Sequence, residues 1–394
     1  MRRAWEAWDR FLFRPDTARV LGLYRIVFGL IVIYSFALLA KDVTMFFSDD
    51  GLLTHAAGAQ ALQPNDVTVF RWIRAPWAVH AALVALFVAA ACFTVGFQTR
   101  WSTVVLYILV ASFHRRDIYV LQGGDTVIRT MLFLFMFAPA GAAFSVDRLR
   151  RRLATPGDEP GELRVPPWAQ RMMQIQVALI YVVAAYGKML GDRYRDGSAM
   201  YYMLGRLDIH VPGLEQLMNY PAVYTAMSVL AIAMEIPLPF LLWFRATRPY
   251  AALLGVALHL WIVVFMVIPV FGIVMMTTYL AFYGEAEFDR AIGRMRRRAA
   301  RRRARMILDA RSRWRRVIPI LDVLQRVEIE EAPRPAGQGG DFAGVRLVAP
   351  DGKTRVGLPA FLWLLPRLLA VFWVIPALYL PGRPSNVEVP AATG

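Results

Sequence analysis

Cysteine is almost absent from this 394-residue chain: Cys92 stands alone in an alanine-rich apolar run. A single cysteine excludes an intramolecular disulfide, a Cys-x-x-Cys redox pair and a thiolate metal cluster, and it leaves Cys92 as a small packing residue. Metal-ligand spacings such as His-Glu-x-x-His are missing, as are a glycine-rich phosphate loop and a nucleophile elbow, so nothing points to a metal. Gln122-Gly-Gly-Asp125 is too short and isolated to cradle a phosphate and reads as a helix-opening turn. A cleavable signal is also lacking. Met1-Arg-Arg leads into Trp, Phe and Leu alternating with charges, the pattern of an interfacial amphipathic helix over 1–19. Finally, no internal repeat is visible, although transporters built from two similar halves bring one.

Apolar sequence is what the chain has in quantity. With 57% hydrophobic residues and a mean hydropathy of +0.43, it is too apolar for an ordinary soluble domain and reads as a polytopic membrane protein. The net charge of +16 comes mainly from arginine blocks, above all Arg290 to Arg316, which argues for membrane topology over nucleic-acid binding. Runs long enough to span, at about 20 residues each, occur near 20–40, 78–97, 102–121, 126–144, 170–190 and 223–244. A hairpin over 249–283, broken at Pro269, brings the expectation to about eight transmembrane helices. The third run is the weakest, because His114-Arg-Arg-Asp117 interrupts it.

The arginine-rich loops all fall on one side of an eight-span map, while the long connections 41–77 and 191–222 on the other carry few basic residues for their length. The positive-inside rule makes the arginine-rich side cytoplasmic, with both termini there and 41–77 and 191–222 facing outward across the cell membrane. The expected architecture is therefore an all-α polytopic membrane domain over 20–285, a basic cytoplasmic helical segment over 286–325 and a small α+β extension over 326–394. Prolines at 359, 366 and 376 argue against a full ninth crossing by 358–380.

On this map the ionisable residues at depth are the candidates for chemistry. Lys188 lies at the outer end of the fifth span, with Asp125 and Arg129 opening the fourth at the i, i+4 spacing of an ion pair. His114, Arg115 and Asp117 end the third span on that same side. Glu235 and His259 fall near the middle of spans six and seven, where charge is costly and faces a bundle interior or cavity. Tyr186-Gly187, just before Lys188, leaves room for a close approach by a ligand or another backbone. These positions predict a chamber open to the outer face. Arg25, a turn into the first span, reads as a snorkelling residue, and each of the others has a plain structural alternative as an anchor, a neutralised pair or a packing group.

Several motifs resemble one family. Val165-Pro-Pro-Trp168, Gln176 and Tyr181, Gly187-Lys188 and Gly197-x-x-Met200 are similar to the core of the vitamin K-dependent gamma-glutamyl carboxylases and their bacterial relatives, the HTTM (horizontally transferred transmembrane) domain family. Phe13-Arg-Pro-Asp, Arg25-x-x-Phe-Gly29, Gly96-Phe-Gln-Thr-Arg100, Phe144-Ser-Val-Asp147 and the helix holding His259 extend the likeness over roughly 10–290. The resemblance implies a lyase or oxidoreductase with a reduced, vitamin K-like quinone as cofactor and a lysine base at Lys188. A desolvated lysine sheds its proton more readily and so becomes a competent base near neutral pH. Two departures stand against transferring the whole reaction. Gly123-Gly-Asp-Thr126 replaces the carboxylases' Asn-Asn-His-Ser, and no large extramembrane region is present to capture a propeptide. The reading is then a membrane enzyme acting on a quinone-like or other lipid-soluble molecule, with Lys188, His259, Asp125 and Glu235 as catalytic residues. His114, Arg115, Asp117, Arg129 and Tyr186 are the substrate-binding candidates. The alternative is a transporter, lipid-binding or interaction protein on the same scaffold. Residues near 350–380 also resemble the end of the DCC thiol-disulfide oxidoreductase family, without its cysteine pair.

Overall fold

The computed structural model describes residues 2–54, 68–154, 163–205, 216, 219–300, 303–308, 312, 314–322, 324–331 and 345–368. Helix α1 (Arg2–Phe13) buries none of its residues and leaves Trp5, Trp8 and Phe13 exposed, as an interfacial helix should. Then come α2 (Arg19–Leu39), α3 (Pro76–Val95), α4 (Thr99–Arg116), α5 (Gly123–Phe137), α6 (Trp168–Leu190), α7 (Pro221–Glu235), α8 (Arg248–Phe265) and α9 (Pro269–Thr278). Among the described residues, five helical stretches are long and apolar enough to cross a membrane: Arg19–Phe47, Pro76–Val95, Trp168–Leu190, Pro221–Leu241 and Arg248–Phe265. The other three expected spans are shorter or more polar. The charged end of α4 lowers its hydropathy, α5 has 15 residues, and α9 has ten before a four-residue 3-10 turn.

The shortest of these, α9, lies at the centre, packed against α2, α5, α6 and α8. Two glycines on α8 and α9 let the arms of that hairpin close. A Cβ at Gly255 would collide with the Tyr279 phenol, and one at Gly272 would sit 2.7 Å from the His259 carbonyl oxygen. Gly124 does the same for α5, where a Cβ would come within 2.8 Å of the Phe271 Cα. The Gly-Gly turn is thus also a helix contact.

One end of the bundle is tied together by motifs scattered along the chain. Arg25 does not snorkel. It is wholly buried, and its Nη atoms donate to the carbonyls of Ala140 and Phe144 at 2.5 Å and of Thr94 and Ala143 at 3.4 Å. Helix ends leave such carbonyls unpaired, so the guanidinium fork finds acceptors closer than the headgroups. Beside it, Gly96 and Gln98 turn through left-handed backbone. The Asp147 carboxylate then caps α4, accepting from the N–H groups of Gln98 and Thr99 and from the Thr99 hydroxyl. Strands β1 (Asp16–Thr17) and β2 (Arg164–Val165) pair antiparallel beside this knot.

Helix α10 (Glu285–Ala300) is bound to the same end by ion pairs, Asp289 with Arg19 and Glu287 with Arg245 and Arg248. The arginine-rich sequence that follows does not extend the helix as expected: residues 304–308 form β3 (Ala304–Leu308). The reason lies in a two-residue alternation, which buries Ala304, Met306 and Leu308 and exposes Arg305. Helix α11 (Trp314–Leu321), β4 (Val327–Glu331), β5 (Arg346–Val348), β6 (Thr354–Val356) and α12 (Leu358–Leu368) complete a small module. Its strand order is β4-β3-β5-β6, with β3 and β4 parallel and the other pairs antiparallel. Ala360 and Leu364 of α12 are buried in the module's own core. The rest of the 358–380 stretch lies outside the described residues.

Candidate functional site

Lys188 sits near the C-terminal end of α6, where side chains lean back toward the N-terminus of their helix. Its ammonium is thereby directed into the bundle, and it meets the Glu235 carboxylate in a hydrogen-bonded ion pair. Glu235 is the last residue of α7, whose regular course is broken at Ile236-Pro237. Its side chain is 10% exposed and that of Lys188 23%, so the pair is largely out of solvent. Glu235 Oε1 takes the lysine, while the buried Oε2 has no partner among the described residues. A carboxylate with one oxygen unmet deep in an apolar bundle is costly, and such costs gather at functional sites.

Seven residues, two turns, before Lys188 on the same face of α6 is Tyr181. Its hydroxyl lies 2.7 Å from His259 Nε2 and is hydrogen-bonded to the hydroxyl of Tyr279. All three side chains are buried, and His259 Nδ1 is without a partner. The ring of Phe271 packs edge-on to His259 at 5.6 Å.

A cleft of about 910 Å³ opens beside the ion pair, lined by Val183, Ala184, Gly187, Lys188, Gly191, Asp192, Arg193, Tyr194, Ala199, Tyr202 and Met203. It therefore differs from the expected chamber among spans four, six and seven, being bounded by α6 and the segment that follows it. That wall is placed by the Gly197-x-x-Met200 motif. Gly197 turns at φ +79° against Thr225 of α7, and the Met200 N–H donates to the buried Ser228 hydroxyl at 3.1 Å. Gly187 serves the cleft rather than helix packing, since none of the described residues comes within 4 Å of a Cβ built there. Tyr186 is 62% exposed on the lipid-facing side and does not line the cleft.

The remaining candidates form a second cluster. His114, stacked on Phe36, places Nε2 3.6 Å from Asp125 Oδ1 and has both ring nitrogens without a hydrogen bond. Asp125 does not pair with Arg129. In a capping box at the start of α5 its carboxylate accepts the Gln122 N–H at 2.8 Å, which the Gln122 side chain reciprocates. Arg129 and Arg115 are half-buried nearby. Asp117 accepts from the Tyr119 N–H at 2.9 Å and so shapes the turn after α4. Phe271 stands between the clusters, its ring against Gly123 on one side and His259 on the other. The structure thus joins Lys188 to Glu235 and sets His259 two turns deeper, but it holds Asp125 and His114 apart from them.

Two features escaped the sequence reading. Tyr279 sits in an apolar run with no mark but its hydroxyl. The second is the identity of the cation: of 45 basic residues only Lys41, Lys188 and Lys353 are lysines. In a chain that otherwise uses arginine, the residue paired with buried Glu235 is one that can release its proton.

No curated protein and no solved structure matches this chain. The model of one family, the HTTM domain, matches residues 13–286, a stretch that holds the Arg25 knot, both polar clusters and the cleft, and the chain is a membrane protein belonging to that family.

Proposed function

We propose that this protein is a membrane enzyme, related in mechanism to the vitamin K-dependent carboxylases, that performs acid–base chemistry on a quinone-like or other lipid-soluble substrate at Lys188–Glu235. The observation that carries the reading is the placement of Lys188, paired with Glu235, at a cleft that shares Val183, 65% exposed, with the apolar face of α6. A molecule dissolved in the bilayer reaches Lys188 there without crossing water. Ala184, Met203 and the rings of Tyr194 and Tyr202 suit a flat apolar ring, with Tyr194 lying 5.9 Å from the lysine Nζ. A reduced quinone bound there would supply the oxidisable ring.

The chain's own residues supply the proton handling. Lys188 and Glu235 share a hydrogen-bonded proton, and its transfer to Glu235 leaves Lys188 as an amine facing a substrate hydroxyl, the role of a general base. Eight spans, both termini on the cytoplasmic side of the cell membrane and an outward-facing Lys188 belong to this reading. Reporter fusions at residues 60 and 205 should then behave as exported and one at residue 300 as retained. For the C-terminal module, the βαβ unit extended by a hairpin on its other edge supports a DCC-like remnant serving as structure.

The test uses a naphthoquinone bearing a photoreactive group, with the protein in lipid nanodiscs. Adducts should concentrate between residues 183 and 203 and be suppressed by excess naphthoquinol. Adducts spread over lipid-facing positions such as Val84 and Val88, with no competition, would overturn the proposal.

A further inference from the structure

The hydroxyls beneath the ion pair have room for few proton arrangements. Tyr181 O–H carries one proton but touches two partners, His259 Nε2 and the Tyr279 hydroxyl. If Tyr181 donates to His259, it accepts from Tyr279, all three groups are satisfied along the string, and the imidazole's own proton resides on Nδ1. If instead His259 donates from Nε2, Tyr181 must donate to Tyr279, whose proton is then left in the bundle without an acceptor. The first arrangement leaves one buried group unmet, Nδ1, and the second leaves two.

We infer that Tyr279 and Tyr181 are positioning residues that hold His259 in the Nδ1–H form, with Nε2 as the proton-accepting end of a string polarised from Tyr279 through Tyr181. Its position gives the string a use that rests on the reading of Lys188–Glu235 as an acid–base pair. Tyr181 lies two turns below Lys188 on the same face of α6, which sets the string beneath the ion pair. A proton arriving at the Tyr279 oxygen displaces that residue's own proton onto Tyr181, and the Tyr181 proton passes to Nε2. Both hydroxyls are restored and the imidazole becomes imidazolium, so His259 Nε2 is where the string delivers the proton.

Nitrogen NMR of full-length protein carrying isotope-labelled histidine, in nanodiscs, tests the tautomer without any assay of activity. The His259 signal, identified by its loss in His259→Gln, should show a protonated Nδ1 and an unprotonated Nε2. Tyr181→Phe removes the donor to Nε2 and should bring in the second tautomer, while Lys188→Met should leave the wild-type pattern. A protonated Nε2 in the wild type, or a Tyr181→Phe spectrum identical to wild type, would overturn the inference. Because naphthoquinone crosslinking is read separately, its failure would count against the substrate reading and not against the string.

Discussion

Two buried basic residues, Arg25 and Lys188, face the same problem in an apolar bundle and solve it differently. Arg25 is surrounded by acceptors: four backbone carbonyls take its Nη protons, and only Nε stays unmet. These carbonyls come from the end of α3 and the segment before residue 146, so the arginine ties a helix end to the loop beside it. Lys188 has one carboxylate, and behind it Glu235 Oε2 and His259 Nδ1 remain open. A charge whose partners are backbone groups of several elements is architecture. A charge with one titratable partner, beside a cleft and with unmet polar atoms near it, is a place for chemistry.

The largest effect that would break this contrast belongs to Arg25. Arg25→Met strands four carbonyls at once and should destabilise the bundle by about 3–5 kcal/mol, read as loss of expression or a sharply lowered melting temperature in detergent. Arg25→Lys should rescue little, because an ammonium cannot reproduce the fork. Tolerance of Met at this position would remove the structural half of the comparison.

A smaller effect is expected at the ion pair. Lys188→Met and Glu235→Gln should each cost about 1–3 kcal/mol, and the double variant less than their sum, with a coupling energy of about 1–3 kcal/mol in thermal melts. Additive costs would mean that the two groups do not interact in the protein.

The smallest effect concerns the base of α10. Burial alone would raise the Glu287 carboxyl, but the hydrogen bond from Arg245 and the charge of Arg248 outweigh it and hold Glu287 below its usual range. A carboxyl depressed on folding adds stability above its unfolded value, near pH 4.5, and loses it as pH falls through the folded value. Protease access at Ala300 should therefore increase below about pH 4.5, and Glu287→Gln should abolish that pH dependence.

Much of this was legible in the sequence, and the rest fails for identifiable reasons. Depth in an apolar run singled out Glu235 and His259, because hydrocarbon makes charge conspicuous whatever the packing, while Lys188 at the end of its span stood out through Tyr186-Gly187 and the family resemblance. Which of them meet was not legible, since helix adjacency is set by long-range contacts such as α9 lying between α5 and α8. Asp125 and Arg129 had ion-pair spacing, yet the N-terminal backbone of α5 offered Asp125 a closer donor. Arg25 looked like a headgroup ligand because carbonyls exposed at other helix ends leave no mark in one sequence. The strand at 304–308 was visible as an alternation but was hidden by the arginines around it.

The central claim is that the Lys188 amine, turned into the bundle onto Glu235, is reached through the cleft from the lipid and not from water, and the scarcity of lysine makes this measurable. In proteoliposomes, a lipid-soluble acylating reagent should modify Lys188, and naphthoquinol should protect it. A water-soluble reagent of the same chemistry should reach Lys41 and Lys353 when supplied to their sides and leave Lys188 largely unmodified. Equal labelling of all three lysines by the water-soluble reagent, with no protection by naphthoquinol, would contradict the account.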